Sequence, residues 1–262
     1  GDQALIDDLN NKIDFHCKRL AIKLGVDYEV IWNKHHKDHD EAIGKMRSDI
    51  KQFSFQRAYG AGAIAIAATT GIPLTQVKEM IEIEEKMYVG VVEFNENVIK
   101  EVKSSRKTTK SKIFVDLYKD RWGKTSGGYW QPQGRGEYKS PTGTKYCFRE
   151  YGFMGKAGFT PTQTKNFPIQ GFGAECMQVI QGRLWRHFIS KSNYNGNALL
   201  VNSVHDCIVV DMKPEVVDEV VRDVKRIMED LPNIFNKLYP NINVRVPFPC
   251  SAEVGKNLYD ME

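Results

Sequence analysis

Four side chains in one segment recur every four residues: Arg47, Lys51, Phe55 and Tyr59, with Gly60 directly behind the tyrosine. An interval of four is close to the helical repeat, so these side chains form one stripe along a single helix. The stripe passes from two cations to a phenyl ring and then to a phenol. A buried stripe would be apolar throughout, and an ordinary solvated face would not repeat its aromatics. The pattern therefore predicts a ligand-binding helix.

The order of the side chains along this stripe predicts what the helix binds. Two cations one turn apart can hold a triphosphate. The ring one turn further along, Phe55, would then lie where the attached sugar is. The stripe therefore predicts a nucleoside triphosphate site.

Three further segments place polar residues beside predicted helices or strands. Residues 166–185 begin with Asn166 and a glutamine-glycine pair at Gln170, and a helical pattern continues after Gly171 to about Ser190. Residues 198–212 predict two short apolar strands joined by a tight turn at His205 and Asp206. The opening stretch, GDQALIDDLNNKIDFHCKRLA, contains an Asp-x-His sequence that ends in His16.

In this order, the four segments resemble the family A DNA polymerases, the DNA polymerase I family. The stripe is similar to the family's nucleotide-binding helix, the His-Asp turn to motif C, and the opening stretch to the segment just after motif A. The resemblance covers most of the chain apart from about residues 104–140. It implies an α+β fold with helical fingers and a palm in which helices flank a small antiparallel sheet. Residues 1–165 would be mainly fingers, with an insertion at about 104–140, and residues 166–262 mainly palm.

The resemblance implies residues for the metal and the phosphates. Asp206 would bind Mg²⁺, one of two catalytic ions, because hard Mg²⁺ requires oxygen ligands. Arg47, Lys51 and His16 would hold the incoming triphosphate, with Lys51 as a candidate proton donor to pyrophosphate. Taken alone, an aspartate in a turn is an ordinary turn former, and His16 could be a packed ring.

The resemblance also implies contacts with the base pair and the primer. Phe55 would pack against the sugar and base, and Tyr59 would occupy the templating-base position in the open state. Asn166 and Gln170 would donate to minor-groove acceptors, which correct pairs present in similar places, or they could be a polar helix start. His205 would contact the primer terminus.

The implied function is template-directed DNA synthesis: deoxynucleotidyl transfer from deoxynucleoside triphosphates to the 3′-hydroxyl of a primer on template DNA. Motif A, which carries the family's other metal-binding aspartate, is absent. Asp2 lacks a preceding apolar strand, and Asp7 and Asp8 fall on a helical pattern. We therefore expect this chain alone to be inactive or incomplete, and to need that aspartate from an upstream segment or a separate chain. A truncation, a proteolytic piece and one half of a split polymerase all stay open.

Two departures from the family pattern predict lower efficiency. Cys207 stands where the family usually has glutamate after the motif C aspartate, and Thr162 where an arginine often supports primer-template contacts. Two alternatives stay open. The absence of motif A leaves a catalytically inactive DNA-binding or polymerase-partner fragment, and the resemblance also leaves a single-subunit RNA polymerase-like enzyme, which shares the palm and a related nucleotide helix. Phe55 and the Asn166/Gln170 pair favour a DNA polymerase over the latter.

Composition constrains the function only weakly. A hydrophobic content of 41% and a charged content of 27% are typical of soluble globular proteins, and a net charge of +4 is compatible with a polyanionic partner.

The five cysteines have no CxxC spacing, which predicts reduced thiols. The polar start is not a signal peptide, and the longest apolar run, residues 61–68, is too short for a membrane span. We expect a cytoplasmic protein of a bacterium or infected host cell, and the divergent insertion suggests a virus.

The spacing of apolar residues also predicts local structure. Helices are predicted over residues 3–24, 41–59, 73–102 and 214–231, with a closing strand at 244–258 beside the His-Asp hairpin. Residues 61–68 are predicted to pack inside the protein. His35, His36 and His39 predict a solvated polar connector, because no cysteine or carboxylate cage accompanies them. Residues 104–140, rich in glycine, cations and aromatics, predict hairpins or loops that could bind a DNA backbone or unpaired bases, or could be a plain surface excursion.

Overall fold

The computed structural model describes residues 1–119, 125–153 and 155–260, so part of the predicted insertion lies outside the described residues. The chain divides into two compact units, Gly1–Pro168 and Ile169–Glu262. The predicted boundary at residues 165/166 lies close to this division, and the assignment of the units to fingers and palm stays a prediction. Helices accompanied by small antiparallel sheets confirm the α+β class. None of the described helices is both long and apolar enough to cross a membrane.

Helices form the first part of the first unit. They are α1 (Gln3–Asn10), α2 (Phe15–Leu24), α3 (Tyr28–His36), α4 (Glu41–Ala58), α5 (Ala63–Thr70), α6 (Leu74–Met87) and α7 (Val89–Ser104). The predicted single helix over residues 3–24 is wrong. The backbone leaves the helical region at Lys12, whose φ is +54°. Asp14 then starts α2 by accepting hydrogen bonds from the backbone N–H groups of His16 and Cys17.

Other helix boundaries also differ from the predictions. The polar stretch around His35 and His36 belongs to α3 and not to a connector. Helix α4 ends at Ala58, so Tyr59 is its C-cap and not its last helical residue. The predicted helix over residues 73–102 is divided at Tyr88, whose φ of −117° and ψ of 63° interrupt the helical backbone between α6 and α7.

The core of the helical part is built from the apolar faces of α2, α4 and α6. Leu20, Phe53 and Val77 are fully buried there, and each contributes about 1.5–3 kcal/mol of transfer free energy. Residues 61–68 follow the prediction only in part. Ile66 is fully buried, whereas Ile64 is 75% exposed.

The second part of this unit consists of strands, which confirms the hairpins predicted for residues 104–140. Its antiparallel sheet has the order β1 (Lys107–Lys119), β2 (Thr125–Lys139) and β3 (Lys145–Arg149), followed by the hairpin β4 (Tyr151–Phe153) and β5 (Lys156–Gly158). Helix α7 covers one end of the sheet, where Val98 and Val102 pack on Tyr138 and Phe148. Gly136 permits this approach, because a Cβ there would lie 2.2 Å from the carbonyl oxygen of Val102.

The second unit contains most of helix α8 (Pro161–Ser190), which is predicted to start after Gly171 but begins earlier. Next come a left-handed turn, Ser192–Gly196, and the predicted hairpin, β6 (Ala198–Val204) and β7 (Cys207–Met212). A 3₁₀ turn (Pro214–Val216), α9 (Val217–Glu229), α10 (Leu231–Leu238) and a second 3₁₀ turn (Leu258–Asp260) complete the unit. Cys176 and Leu184 of α8 pack against Leu231 and Phe235.

The strand predicted at residues 244–258 is wrong. The backbone N–H and carbonyl of Val244 hydrogen-bond the side-chain amide of Asn236, at 2.7 and 3.2 Å, and so are not available to a neighbouring strand. Pro247 and Pro249 have no N–H to donate. The hairpin therefore remains a two-stranded sheet in the part of the chain that the structure describes.

All five cysteines are free thiols, as predicted. Cys17 and Cys176 are buried. Burial raises the pKa of each thiol to about 11, so neither is a reactive thiolate at neutral pH.

The left-handed turn is an energetically costly feature of the second unit. Ser192, Asn193, Tyr194 and Asn195 have φ values between 48° and 57°, a conformation that costs about 1–2 kcal/mol for each L-residue. Tyr194 is buried and donates a hydrogen bond from its hydroxyl to Asp223 Oδ2, at 3.0 Å. This contact holds the turn against the unit's core.

Asp223 is therefore expected to stabilise the second unit in a pH-dependent way. Burial alone would raise its pKa, but hydrogen bonds from His187, Lys191 and Tyr194 outweigh burial and lower the pKa to about 2. Because the folded-state pKa is depressed, the stabilisation is complete above the unfolded pKa of about 4 and is lost as the pH falls towards 2.

We expect Asp223→Asn to lower the free energy of unfolding by about 1–3 kcal/mol at pH 7, since it weakens a charge-assisted network. Urea titrations of both proteins should show the difference shrinking between about pH 4 and pH 2. Asp218→Asn, an exposed aspartate on the same helix α9, is the control and should be near neutral. An equal loss at every pH would contradict the electrostatic origin.

Candidate functional site

The predicted stripe of helix α4 becomes exposed in its second half, away from the buried core side of the helix. Ile50 and Phe53 are buried, whereas the side chain of Phe55 is 55% exposed and that of Tyr59 is 47% exposed. Lys51 is partly exposed one turn before Phe55. Large aromatics left in solvent beside a cation are available to a ligand and contribute little to the core.

Arg47, at the start of the stripe, is held by a carboxylate of helix α2. Its Nε and Nη2 atoms lie 2.9 and 2.7 Å from Asp14 Oδ2. Burial alone would raise the pKa of Asp14. The hydrogen bond from Arg47, the backbone N–H of Cys17 and the guanidinium charge outweigh burial and hold the pKa well below its usual range. Asp14 is the aspartate of the Asp-x-His sequence, but the sequence indicated no role for it, although an aspartate before a helical pattern is an N-cap signal.

His16 joins the same group from the first turn of α2. Its Nδ1 lies 3.1 Å from Ser54 Oγ, and its ring centroid lies 6.2 Å from that of Phe55. Burial, followed by the charge of Arg47, lowers the pKa of His16, although Asp14 partly opposes the shift. The structure thus brings together the predicted residues His16, Arg47 and Phe55 and adds Ser54, which the sequence did not indicate.

The end of α4 is closed by a glycine. Gly60 has a φ of +79°, which L-residues with a side chain adopt only with strain. A Cβ on Gly60 would lie 3.3 Å from Thr162 Cα at the start of α8. Thr162 therefore lies directly beside the end of the stripe.

Asn166 and Gln170 are four residues apart on α8, within the helix and not at its start as predicted. Asn166 is partly exposed and Gln170 is exposed. The boundary between the two units falls between these residues, at Pro168.

In the second unit, His205 and Asp206 form the two-residue turn of the β6–β7 hairpin, whose last pair is Val204 with Cys207. His205 has a φ of +51°, which is uncommon for a residue other than glycine and often marks a functional turn. Both side chains are exposed, so the Asp206 carboxylate is available to an ion. Cys207 beside it is also exposed.

The histidines and the N-terminal aspartates of the first unit have partners within the protein. Asp14 lies with His35 and His36, and one ligand atom from each falls within 4.8 Å of the others. One carboxylate, although not a cage, therefore accompanies the histidines, and it already accepts hydrogen bonds from the Arg47 guanidinium. Asp2 caps α1 and accepts the backbone N–H of Gly90 at 2.7 Å. Asp8 accepts a hydrogen bond from the Tyr88 hydroxyl.

Comparison with known proteins places this geometry in context. No protein-family model matches the chain. The DNA polymerase I of Lactococcus lactis subsp. lactis (strain IL1403) is 24% identical over 260 residues, which cover 99% of this chain and 24% of that protein. The DNA polymerase of Bacillus phage SP01 is 35% identical over 107 residues, which cover 40% of this chain and 11% of the phage protein. The chain therefore spans about a quarter of the length of its Lactococcus relative.

A solved structure shares the fold. The POL domain of Pol1 from M. smegmatis, in complex with DNA primer-template and dNTP, has a TM-score of 0.56 at 16% sequence identity. The match covers 94% of this chain and 34% of that one. Such a likeness establishes the fold, and both sequence relatives are DNA polymerases.

Proposed function

Because the chain is a relative of DNA polymerase I along 99% of its length, we propose that it carries the nucleotide-binding helix and one metal-binding turn of a DNA-directed DNA polymerase. The proposal rests on one observation: the guanidinium of Arg47 and the exposed ring of Phe55 on α4 lie close to the imidazole of His16 on α2. The order of Arg47 and Phe55 along α4 suits the triphosphate and the sugar of a nucleotide. In the reaction, the primer 3′-hydroxyl forms a new bond to the α-phosphorus and pyrophosphate leaves.

The protein's contribution to such a reaction is mainly positioning and neutralisation of charge. Arg47 uses Nε and Nη2 on Asp14, and a guanidinium has five N–H donors, so donors remain for phosphate oxygens. Lys51, one turn further along, would neutralise the same phosphates and donate a proton to the departing pyrophosphate. Phe55 would pack against the sugar.

Asp206 fits the role of a Mg²⁺ ligand, because it offers an exposed carboxylate at the tight turn between two strands. When bound, the ion would neutralise charge on the phosphates. One carboxylate is a weak site, and the neighbouring Cys207 offers a soft sulfur that Mg²⁺ does not prefer. We therefore infer that a second carboxylate comes from a segment outside residues 1–262.

The β6–β7 hairpin suggests how such a segment would attach. Two strands alone form a marginal sheet, and β7 has an edge to which no described strand is paired. Backbone groups at an open edge accept an additional strand. A strand ending in an aspartate and added there would bring a second carboxylate towards Asp206.

Primer extension tests the proposed function. This chain, with Mg²⁺, deoxynucleotides and a labelled primer-template, is assayed alone and then with the polypeptide encoded upstream. Extension only in the mixture is expected. Extension by the chain alone would mean that a carboxylate within it completes the metal site, and no extension in either case would reject the polymerase role.

Cys207 beside the metal-binding turn favours one alternative, a catalytically inactive DNA-binding fragment. Such a fragment would bind primer-template with an affinity that falls steeply with salt, roughly in proportion to the phosphates contacted. It would add no nucleotide under any metal condition.

Phe55 gives a prediction about the sugar. A phenyl ring cannot replace the hydrogen bond of a missing 3′-hydroxyl, so the reconstituted enzyme should discriminate against dideoxynucleotides. We expect Phe55→Tyr to reduce this discrimination roughly tenfold or more, because a hydrogen bond to a charged group contributes about 1.5–3 kcal/mol. Competition between deoxy- and dideoxynucleotides on a sequencing gel measures it. Phe55→Leu, which removes the ring without adding a hydroxyl, should leave the discrimination in place.

A further inference from the structure

The basic charge of the chain is concentrated in the segment that forms β1 to β5. Residues 105–158 contain twelve Lys and Arg against four Asp and Glu, an excess of +8, whereas the whole chain carries only +4. The rest of the chain is therefore net negative. A polyanion that approaches this protein would be attracted to this segment first.

The cations on strand β1 are available to such a partner. Two of the acidic residues of the segment are already paired, Glu150 with Arg106 and Glu137 with Arg135. Lys110 and Lys112 are exposed. Within residues 1–119, 125–153 and 155–260, no carboxylate lies in ion-pair distance of either lysine.

Two aromatic rings lie on the same face of the β1–β2 ribbon as Lys112, whereas Lys110 lies in the stretch before it where the strand register shifts. Phe114 and Trp130 are cross-strand partners, with ring centroids 5.4 Å apart and planes inclined by 59°. Phe114 lies over Gly128, where a Cβ would be 2.4 Å from its Cζ. The Trp130 side chain is 67% exposed, so its ring is the one that can receive a planar ligand. Lys112 forms the adjacent pair on the same face, with Pro132.

We propose that this ribbon binds single-stranded DNA, with Trp130 stacking on an unpaired base, Phe114 supporting that ring, and Lys110 and Lys112 contacting the flanking phosphates. The choice of DNA as the polyanion rests on the proposed function. A single strand is favoured over a duplex because an exposed indole requires an unpaired base face, which a duplex offers only at its ends. The excess of lysines favours a phosphate backbone over a protein partner.

The test is fluorescence anisotropy of a labelled oligo-dT dodecamer titrated with the full chain. Trp130→Ala should weaken binding about tenfold, since base-aromatic stacking is a substantial part of single-strand affinity. Trp130→Tyr keeps a stacking ring and should retain most of the affinity. Trp185→Ala removes a tryptophan that is 60% exposed in the second unit and should change nothing.

The salt dependence tests the lysines separately. Removing two phosphate contacts with Lys110→Gln/Lys112→Gln should reduce the slope of log K against log[NaCl] by about 1.4, at about 0.7 per phosphate on a single strand. The matched control is Lys78→Gln/Lys237→Gln, which removes two exposed lysines elsewhere and should leave the slope unchanged.

Unchanged dodecamer affinity in Trp130→Ala would overturn the proposal, as would equal affinity for a blunt duplex of the same length. Tighter binding of oligo-rU than of oligo-dT would overturn the assignment to DNA. The binding assay does not depend on nucleotide addition, so its result is independent of the result of primer extension. If the protein extends primers but binds the dodecamer equally well without Trp130, only this proposal is rejected. If dodecamer binding depends on Trp130 but no primer is extended, only the polymerase role is rejected.

Discussion

Replacing Asp206 by asparagine is expected to reduce nucleotide addition by the reconstituted polymerase about a thousandfold or more. The substitution keeps the size of the side chain and removes the charge that would hold Mg²⁺ at the β6–β7 turn. Single-turnover primer extension at saturating deoxynucleotide measures the loss. Because Asp206 is exposed, the far-ultraviolet circular dichroism of the variant should match that of the parent.

The control for this experiment is Asp211→Asn, which removes another exposed carboxylate from strand β7. Its activity should stay within about twofold of the parent, since surface substitutions away from a site have small effects. Near-normal activity in Asp206→Asn would reject Asp206 as the metal ligand. An equal loss of activity in both variants would indicate that the total negative charge of the hairpin matters, and not a specific metal ligand.

The second large effect is expected at Lys51. Lys51→Ala should lower kcat about 10²- to 10⁴-fold in the same reconstituted assay, because it removes both the proposed phosphate contact and a candidate general acid. Lys51→Arg keeps the positive charge but is a much poorer proton donor. It should therefore restore nucleotide binding better than it restores kcat.

Lys45→Ala is the matched control for Lys51, since Lys45 is an exposed lysine on the same helix α4. It should leave kcat and KM nearly unchanged. A Lys51→Ala enzyme with only a raised KM would show that Lys51 binds the triphosphate without taking part in proton transfer.

The sequence predicted the parts of the site that depend on regular spacing. The stripe on α4 has the helical repeat, and the turn at His205 and Asp206 lies between two apolar runs, so both elements formed where expected. The partners of these residues could not be predicted in the same way. Asp14 and Arg47 are separated by 33 positions in the chain, and only packing of α2 against α4 brings them together.

The errors in the fold have local physical causes. Residues 3–24 have one continuous apolar pattern, but a left-handed Lys12 followed by the Asp14 cap divides them into two helices. The closing segment has the alternation of a strand, yet Asn236 binds the backbone of Val244 that a neighbouring strand would need. Apolar patterns report burial, and they do not report which partner satisfies the backbone.

The Asp14–Arg47 ion pair has a consequence for how a nucleotide would be captured. A free arginine side chain loses rotamer entropy of about 2 kcal/mol when it is immobilised. Asp14 already fixes the guanidinium through Nε and Nη2, so this loss occurs during folding and not during ligand binding. The proposed site would therefore be preorganised, and association with a triphosphate should require little reordering of Arg47.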